Sequence, residues 1–128
     1  LRSRRKKAPL DGFQVYLLPT LSEPFGMTLI EAAARGLIAV TTDAAGPRYI
    51  LEGERALETS WGYVTDYGLC ARREPLGQLA HNLGQALVWA LNHWEESAAR
   101  ALALRDRVER EFTWRRVAQR YLELYEGD

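Results

Sequence analysis

The sequence predicts an α/β fold: a partial parallel sheet of about three strands, finished by C-terminal helices. Two short apolar runs, residues 13–18 and 37–42, flank a helical stretch at 27–35. Strand–helix–strand order of this kind implies a parallel sheet with crossover connections. From Pro75 onward, apolar residues recur every three to four positions, which is helical periodicity.

Each element has its own signal. Residues 13–18 form a nearly continuous apolar run that Pro19 ends, which suits a strand buried on both faces. A polar turn follows at 20–26. Residues 27–35 read as a helix, with Leu29, Ile30, Ala33 and Ala34 apolar and Gly36 as its stop. Residues 37–42 are a β-branched strand. Residues 43–47 form a turn, and Pro47 is placed to begin a short helix through Leu51. Residues 52–61 read as an irregular polar connection, and 62–66 as a third short strand. A long helix then carries Leu76, Leu79, Leu83, Ala86, Ala90 and Trp94. A second covers about 95–111, and a third, N-capped by Thr113, carries Trp114, Val117, Ala118, Tyr121, Leu122 and Tyr125 on one stripe.

Composition narrows the function classes. The chain has 128 residues, enough for one domain with a core. Lys+Arg and Asp+Glu both number 17, so the net charge is zero. That argues against a nucleic-acid binder or an anionic-membrane binder. The one cysteine, Cys70, has no internal disulfide partner, and a reduced, cytoplasmic setting is the default, with peripheral membrane contact left open. No run reaches the ~18 apolar residues of a transmembrane helix. Arg2, Arg4, Arg5, Lys6 and Lys7 form a basic lead-in over 1–12, better read as a solvated terminus than as an anion site.

The chemistry is concentrated between the first strand and its helix. Ligands of open α/β sheets bind outside the carboxyl ends of the strands. A helix start there offers unpaired N–H groups and partial positive charge, a natural place for phosphate. Gly26 permits close backbone approach, and Thr28 adds a hydroxyl. Glu23 precedes the helix and Glu31 lies about a turn inside it. A carboxylate is a poor phosphate ligand but a good acceptor for sugar hydroxyls. Two carboxylates around a phosphate-binding helix start suit a nucleotide sugar. A single Glu before a helix ordinarily complements its dipole. In so apolar a helix as 27–34, however, a charge is better explained by a pocket or a partner.

Residues 22–32, Ser-Glu-Pro-Phe-Gly-Met-Thr-Leu-Ile-Glu-Ala, closely resemble the E-x7-E motif of the large retaining glycosyltransferase family that includes sucrose-phosphate synthases (group 1, family 4). Residues 36–47 resemble that family's next strand and Gly-Gly-Pro turn, and residues 112–118 its terminal Phe-Ser-Trp helix start. The resemblance implies the GT-B architecture of two facing Rossmann-like domains, with residues 13–125 part of the C-terminal, donor-binding one and 126–128 a tail. It implies that Glu23 contacts hydroxyls of the transferred sugar. Backbone amides of Phe25, Gly26 and Met27, with Thr28, would hold sugar and diphosphate, Glu31 the ribose, and Gly46 a phosphate-proximal turn. A hexose would pass from a UDP-, GDP- or ADP-sugar to an acceptor with retained configuration, with no cofactor and no obligatory metal. The acceptor would bind to an N-terminal domain absent from this chain. The wording of 28–34 leans toward sucrose-phosphate-synthase-like members.

Three departures stand out. Ala45 replaces the first glycine before Pro47, Tyr49 replaces a frequent Glu, and the family's upstream Arg and Lys are absent. The family's Gly-x-Leu-Val-Asp-Pro stretch is echoed loosely at 62–66. These departures leave a rival expectation, a non-catalytic or degenerate Rossmann-like binding or scaffold domain. His81 and His93 lack metal-ligand spacing. Cys70 reads as a buried small residue, Trp61, Trp89, Trp94 and Trp114 as packing groups, and Asp11-Gly12 and Asp66-Tyr67 as turns.

Overall fold

The computed structural model describes residues 12–21 and 27–126. Glu23, Phe25 and Gly26 lie outside the described residues, as do the basic run at 2–7 and Asp11. So do the side chains of Trp114, Val117, Tyr121 and Tyr125.

The expected α/β fold is present. Among the described residues, five strands form one sheet: β1 (Val15–Leu18), β2 (Ile38–Thr42), β3 (Ala56–Glu58), β4 (Gly62–Thr65) and β5 (Leu69–Ala71), in the order β1-β2-β5-β4-β3. The helices among the described residues are α1 (Met27–Ala34), α2 (Ala45–Leu51), α3 (Leu79–Asn92), α4 (Trp94–Glu111) and α5 (Trp114–Glu126). β1, β2 and β5 are parallel, in register through Val15↔Ile38 and Val40↔Leu69.

Alternation along the strands splits the core into two layers. Tyr16, Leu18, Ala39 and Cys70 face Leu29 and Ile30 of α1, Ile50 and Leu51 of α2, and Leu104 and Val108 of α4. Val15, Val40, Leu69, Val64 and Trp61 face Ala86 and Ala90 of α3. β2 lies between these layers and is buried at all five positions. Trp61 and the half-buried Trp89 therefore pack, as anticipated. Trp89 also stacks on His93 at 3.9 Å between ring centroids.

Several boundaries correct the sequence expectations. The third short strand expected at 62–66 is present as β4, but it runs antiparallel to β5, which is the third parallel strand. The cause is the tight reversal at 66–68, where Thr65 Oγ1 accepts hydrogen bonds from the Tyr67 and Gly68 amides. So short a turn permits only antiparallel pairing. Residues 52–61 contain β3, which pairs with β4 though all its residues are exposed. β1 is half-buried rather than buried on both faces, because it forms the sheet's edge among the described residues, and Leu17 is 44% exposed. α2 starts two residues before Pro47, which its first turn tolerates because no intrahelical N–H bond is required there. Leu76 lies in a 3₁₀ turn ahead of α3 and is exposed.

Two glycines are dictated by geometry. Gly36 has φ +79°. Its N–H bonds Ala33 O at 2.9 Å, and the Leu37 N–H bonds Ala32 O at 3.3 Å. This is the paired C-cap that ends a helix at a left-handed residue. A Cβ on Gly62 would stand 2.0 Å from Cys70 O across the β4–β5 ladder, so no side chain fits.

Leu104 is fully buried beneath α1 and α2. Leu104→Ala is expected to cost about 2–5 kcal/mol, read as a fall in the urea midpoint. Cys70 is enclosed by the core, and burial, with the Asp43 charge second, pushes its thiol from 9.0 up to about 12. Its folded value is raised, so the stability this contributes is present below pH 9.0 and is lost as pH climbs toward about 12. At pH 8 a disulfide reagent should label Cys70 only on unfolding; prompt labelling of the native chain would contradict this burial.

Candidate functional site

The carboxyl ends of β1, β2 and β5 lie side by side, and the chain leaves β1 there to enter α1. Leu29, Ile30, Ala32 and Ala33 bury one side of α1, and Met27 packs partly against the same core. Thr28 and Glu31 are exposed. They are three residues apart, so they share the open side of the helix. Glu31 makes no ion pair among the described residues, although Arg35 lies four residues on. Of the anticipated site residues, Met27, Thr28 and Glu31 thus stand together at this edge. Glu23, Phe25 and Gly26 fall outside the description.

β2 holds the exit of β1 in place. Its Thr41 hydroxyl donates to Leu18 O at 3.1 Å, and its Thr42 hydroxyl to Thr20 O at 2.6 Å. Both threonines are fully buried, so each polar group is satisfied by the carbonyl it fastens. Thr42 Oγ1 also accepts the Ala44 N–H at 3.3 Å, which fixes the turn into α2. Gly46 is buried in the first turn of α2, while Ala45 is exposed. Tyr49 is 46% exposed; it meets Phe112 edge-on at 5.6 Å, and Arg120 covers its ring at 4.6 Å. A side chain larger than glycine at 45 therefore stands at the surface, and Tyr49 is engaged by helix packing.

The sequence expectations gave no role to the cations at this edge. Arg73, two residues past β5, donates through Nε to Asp43 Oδ1 at 2.7 Å and through Nη1 to Leu21 O at 3.0 Å. With Arg48, Asp43, Ala45, Tyr49 and Glu52 it lines a recess of about 410 Å³ beside α2. The available signal was the Arg72-Arg73 pair directly after a short apolar run.

A larger recess, about 600 Å³, lies at the opposite edge near the Asp66–Tyr67 turn. It is the weaker candidate. The Arg107 guanidinium already occupies it, donating to Glu52 O and lying 4.6 Å over Tyr67. Among the described residues, no group of three or more His, Cys, Asp or Glu is arranged to hold a metal ion. Nor is any helix among them long and apolar enough to cross a membrane.

Comparisons with known proteins place the chain in a family. The family described as glycosyl transferases group 1 matches residues 3–93. The phosphatidylinositol N-acetylglucosaminyltransferase GPI3 subunit of Saccharomyces cerevisiae (strain ATCC 204508 / S288c) is 30% identical over 111 residues, 87% of this chain and 21% of the relative. A sucrose synthase of Acidithiobacillus caldus is 30% identical over 120 residues, 88% of this chain and 13% of the relative. A sucrose-phosphate synthase of Zea mays is 61% identical over 43 residues, 34% of this chain and 4% of the relative, in keeping with the lean noted above. The chain thus spans about a fifth or less of the length of these relatives. No solved structure matches. The mixed sheet with its C-terminal helices is that of part of a GT-B, Rossmann-like domain, and the chain belongs to the group 1 glycosyltransferase family.

Proposed function

We propose that this chain is the donor-binding part of a hexosyltransferase. It would hold a nucleotide diphosphate sugar across the amino end of α1, for transfer to an acceptor with retention at the anomeric carbon. The supporting observation is the open side of α1, where Thr28 and Glu31 stand exposed on a helix otherwise buried at its core face, at the carboxyl edge of the parallel strands. Ligands of open α/β sheets collect at that edge.

In this arrangement Glu31 accepts hydrogen bonds from the ribose hydroxyls. The diphosphate meets the backbone N–H groups of Phe25, Gly26 and Met27, with the Thr28 hydroxyl beside them. Glu23 accepts from hydroxyls of the transferred sugar, and the turn at Gly46 lies toward the phosphates. The base is uracil, guanine or adenine. As the bond from the sugar to the diphosphate breaks, negative charge grows on the departing phosphate. Oriented N–H groups and the helix dipole stabilise that charge without reorganising, and such preorganisation is a large catalytic term. The departing phosphate itself helps to take the acceptor's proton. The charge is met without a metal ion or cofactor. The acceptor is held by an N-terminal Rossmann-like domain of the same protein, working in a reducing compartment that keeps Cys70 a thiol.

Hydrogen bonds to a charged acceptor contribute roughly 1.5–3 kcal/mol. Glu31→Ala, made in the protein that carries this chain, should therefore weaken nucleoside diphosphate binding about tenfold or more, with a smaller loss for Thr28→Ala. Calorimetric titration with UDP, GDP and ADP measures it, and unchanged affinity and turnover in Glu31→Ala would contradict the role. One wall of a two-walled cleft cannot position an acceptor, so the 128 residues alone should transfer no sugar. Measurable transfer by the isolated chain in a radiolabelled-donor assay would overturn that expectation.

A further inference from the structure

The chain leaving β1 is fastened at three carbonyls within four residues. Leu18 O and Thr20 O accept from the β2 threonines, and Leu21 O accepts from Arg73. The third bond is the outermost and lies directly before residue 22. Arg73 is itself fixed twice to one oxygen, since Asp43 Oδ1 accepts its Nε at 2.7 Å and its backbone N–H at 3.2 Å. Asp43 in turn donates its N–H to Ala71 O at 2.9 Å. One planar guanidinium therefore ties together the exit of β1, the end of β2 and the end of β5, over sequence separations of 52 and 30 residues.

A partly exposed ion pair of this kind adds little stability by itself. The Arg73 and Asp43 side chains are 38% and 18% exposed. The arm to Leu21 O also plays no part in neutralising Asp43. Both points make geometry the main contribution of Arg73. A guanidinium carries its donors in a rigid fork, which an ammonium lacks. We infer that Arg73 is a positioning residue for donor binding, clamping Leu21 to Asp43 and so fixing where the chain leaves β1 relative to the start of α2. This rests on the carboxyl edge being the donor site.

The test uses the intact protein that carries this chain. Misplacing a binding group by about 1 Å is costly, on the order of 10²-fold in rate. Arg73→Ala should raise KM for the nucleotide sugar by about tenfold or more, with a smaller change in kcat. The Kd of the nucleoside diphosphate should rise in parallel, and Tm should barely move. Arg73→Lys keeps the charge but loses the fork, so it should recover only part of the affinity. Unchanged KM and Kd in Arg73→Ala would overturn the clamp. So would full recovery in Arg73→Lys, which would make charge rather than geometry the cause, or an affinity loss that follows a fall in Tm. If Arg73→Ala does not fold, Thr42→Val removes the neighbouring anchor on Thr20 O. A raised KM there supports the clamp and an unchanged one overturns it. A wild-type protein that binds no nucleoside diphosphate would overturn the donor site and the clamp together, whereas normal wild-type binding with indifferent variants defeats the clamp alone.

Discussion

The carboxyl end of β2 is the constraint on which the rest depends. Strands of a parallel sheet leave their last carbonyls short of ladder partners once the chain turns away, and a buried carbonyl without a donor is costly. Thr41 and Thr42 supply those donors to Leu18 and Thr20 from positions that are themselves fully buried. A β-branched residue with a hydroxyl suits both duties, packing on the pleated sheet and bonding across its end. Because β2 is enclosed by both core layers, it has no freedom to shift, and what it holds is held in register.

The site inherits its shape from that strand. One side of α1 is pressed on Leu104 and Val108 of α4, which leaves Thr28 and Glu31 facing outward beside the ends of β1 and β2. Arg73 extends the same fastening one step further, from just past strand β5. Positive partial charge at a helix start, two exposed oxygen-bearing side chains and a braced approach form a surface able to receive a phosphorylated, hydroxyl-rich ligand. Membership of the group 1 glycosyltransferases gives that surface its chemical setting.

Much of the fold was legible because its signals are local. α1 declares itself through Leu29, Ile30 and Ala33 at helical spacing and Gly36 as its stop, and β2 through a β-branched run. β5 was not legible, since three residues, Leu69, Cys70 and Ala71, are too few to show a period. β3 escaped because its residues are all exposed and backbone bonds to β4 alone make it a strand. The place of Glu31 in α1 was legible as spacing. The role of Arg73 was not, because its partners Asp43 and Leu21 are adjacent only after folding.

The central claim is that a nucleoside diphosphate occupies the carboxyl edge of β1 and β2. Hydrogen–deuterium exchange of the intact protein, with and without UDP, GDP or ADP, tests it most directly. Ligand should slow exchange in peptides covering the start of α1 and the turn at 43–46, and leave the Asp66–Tyr67 turn unaffected. Protection confined to that turn and the Arg107 recess, with none at α1, would contradict it.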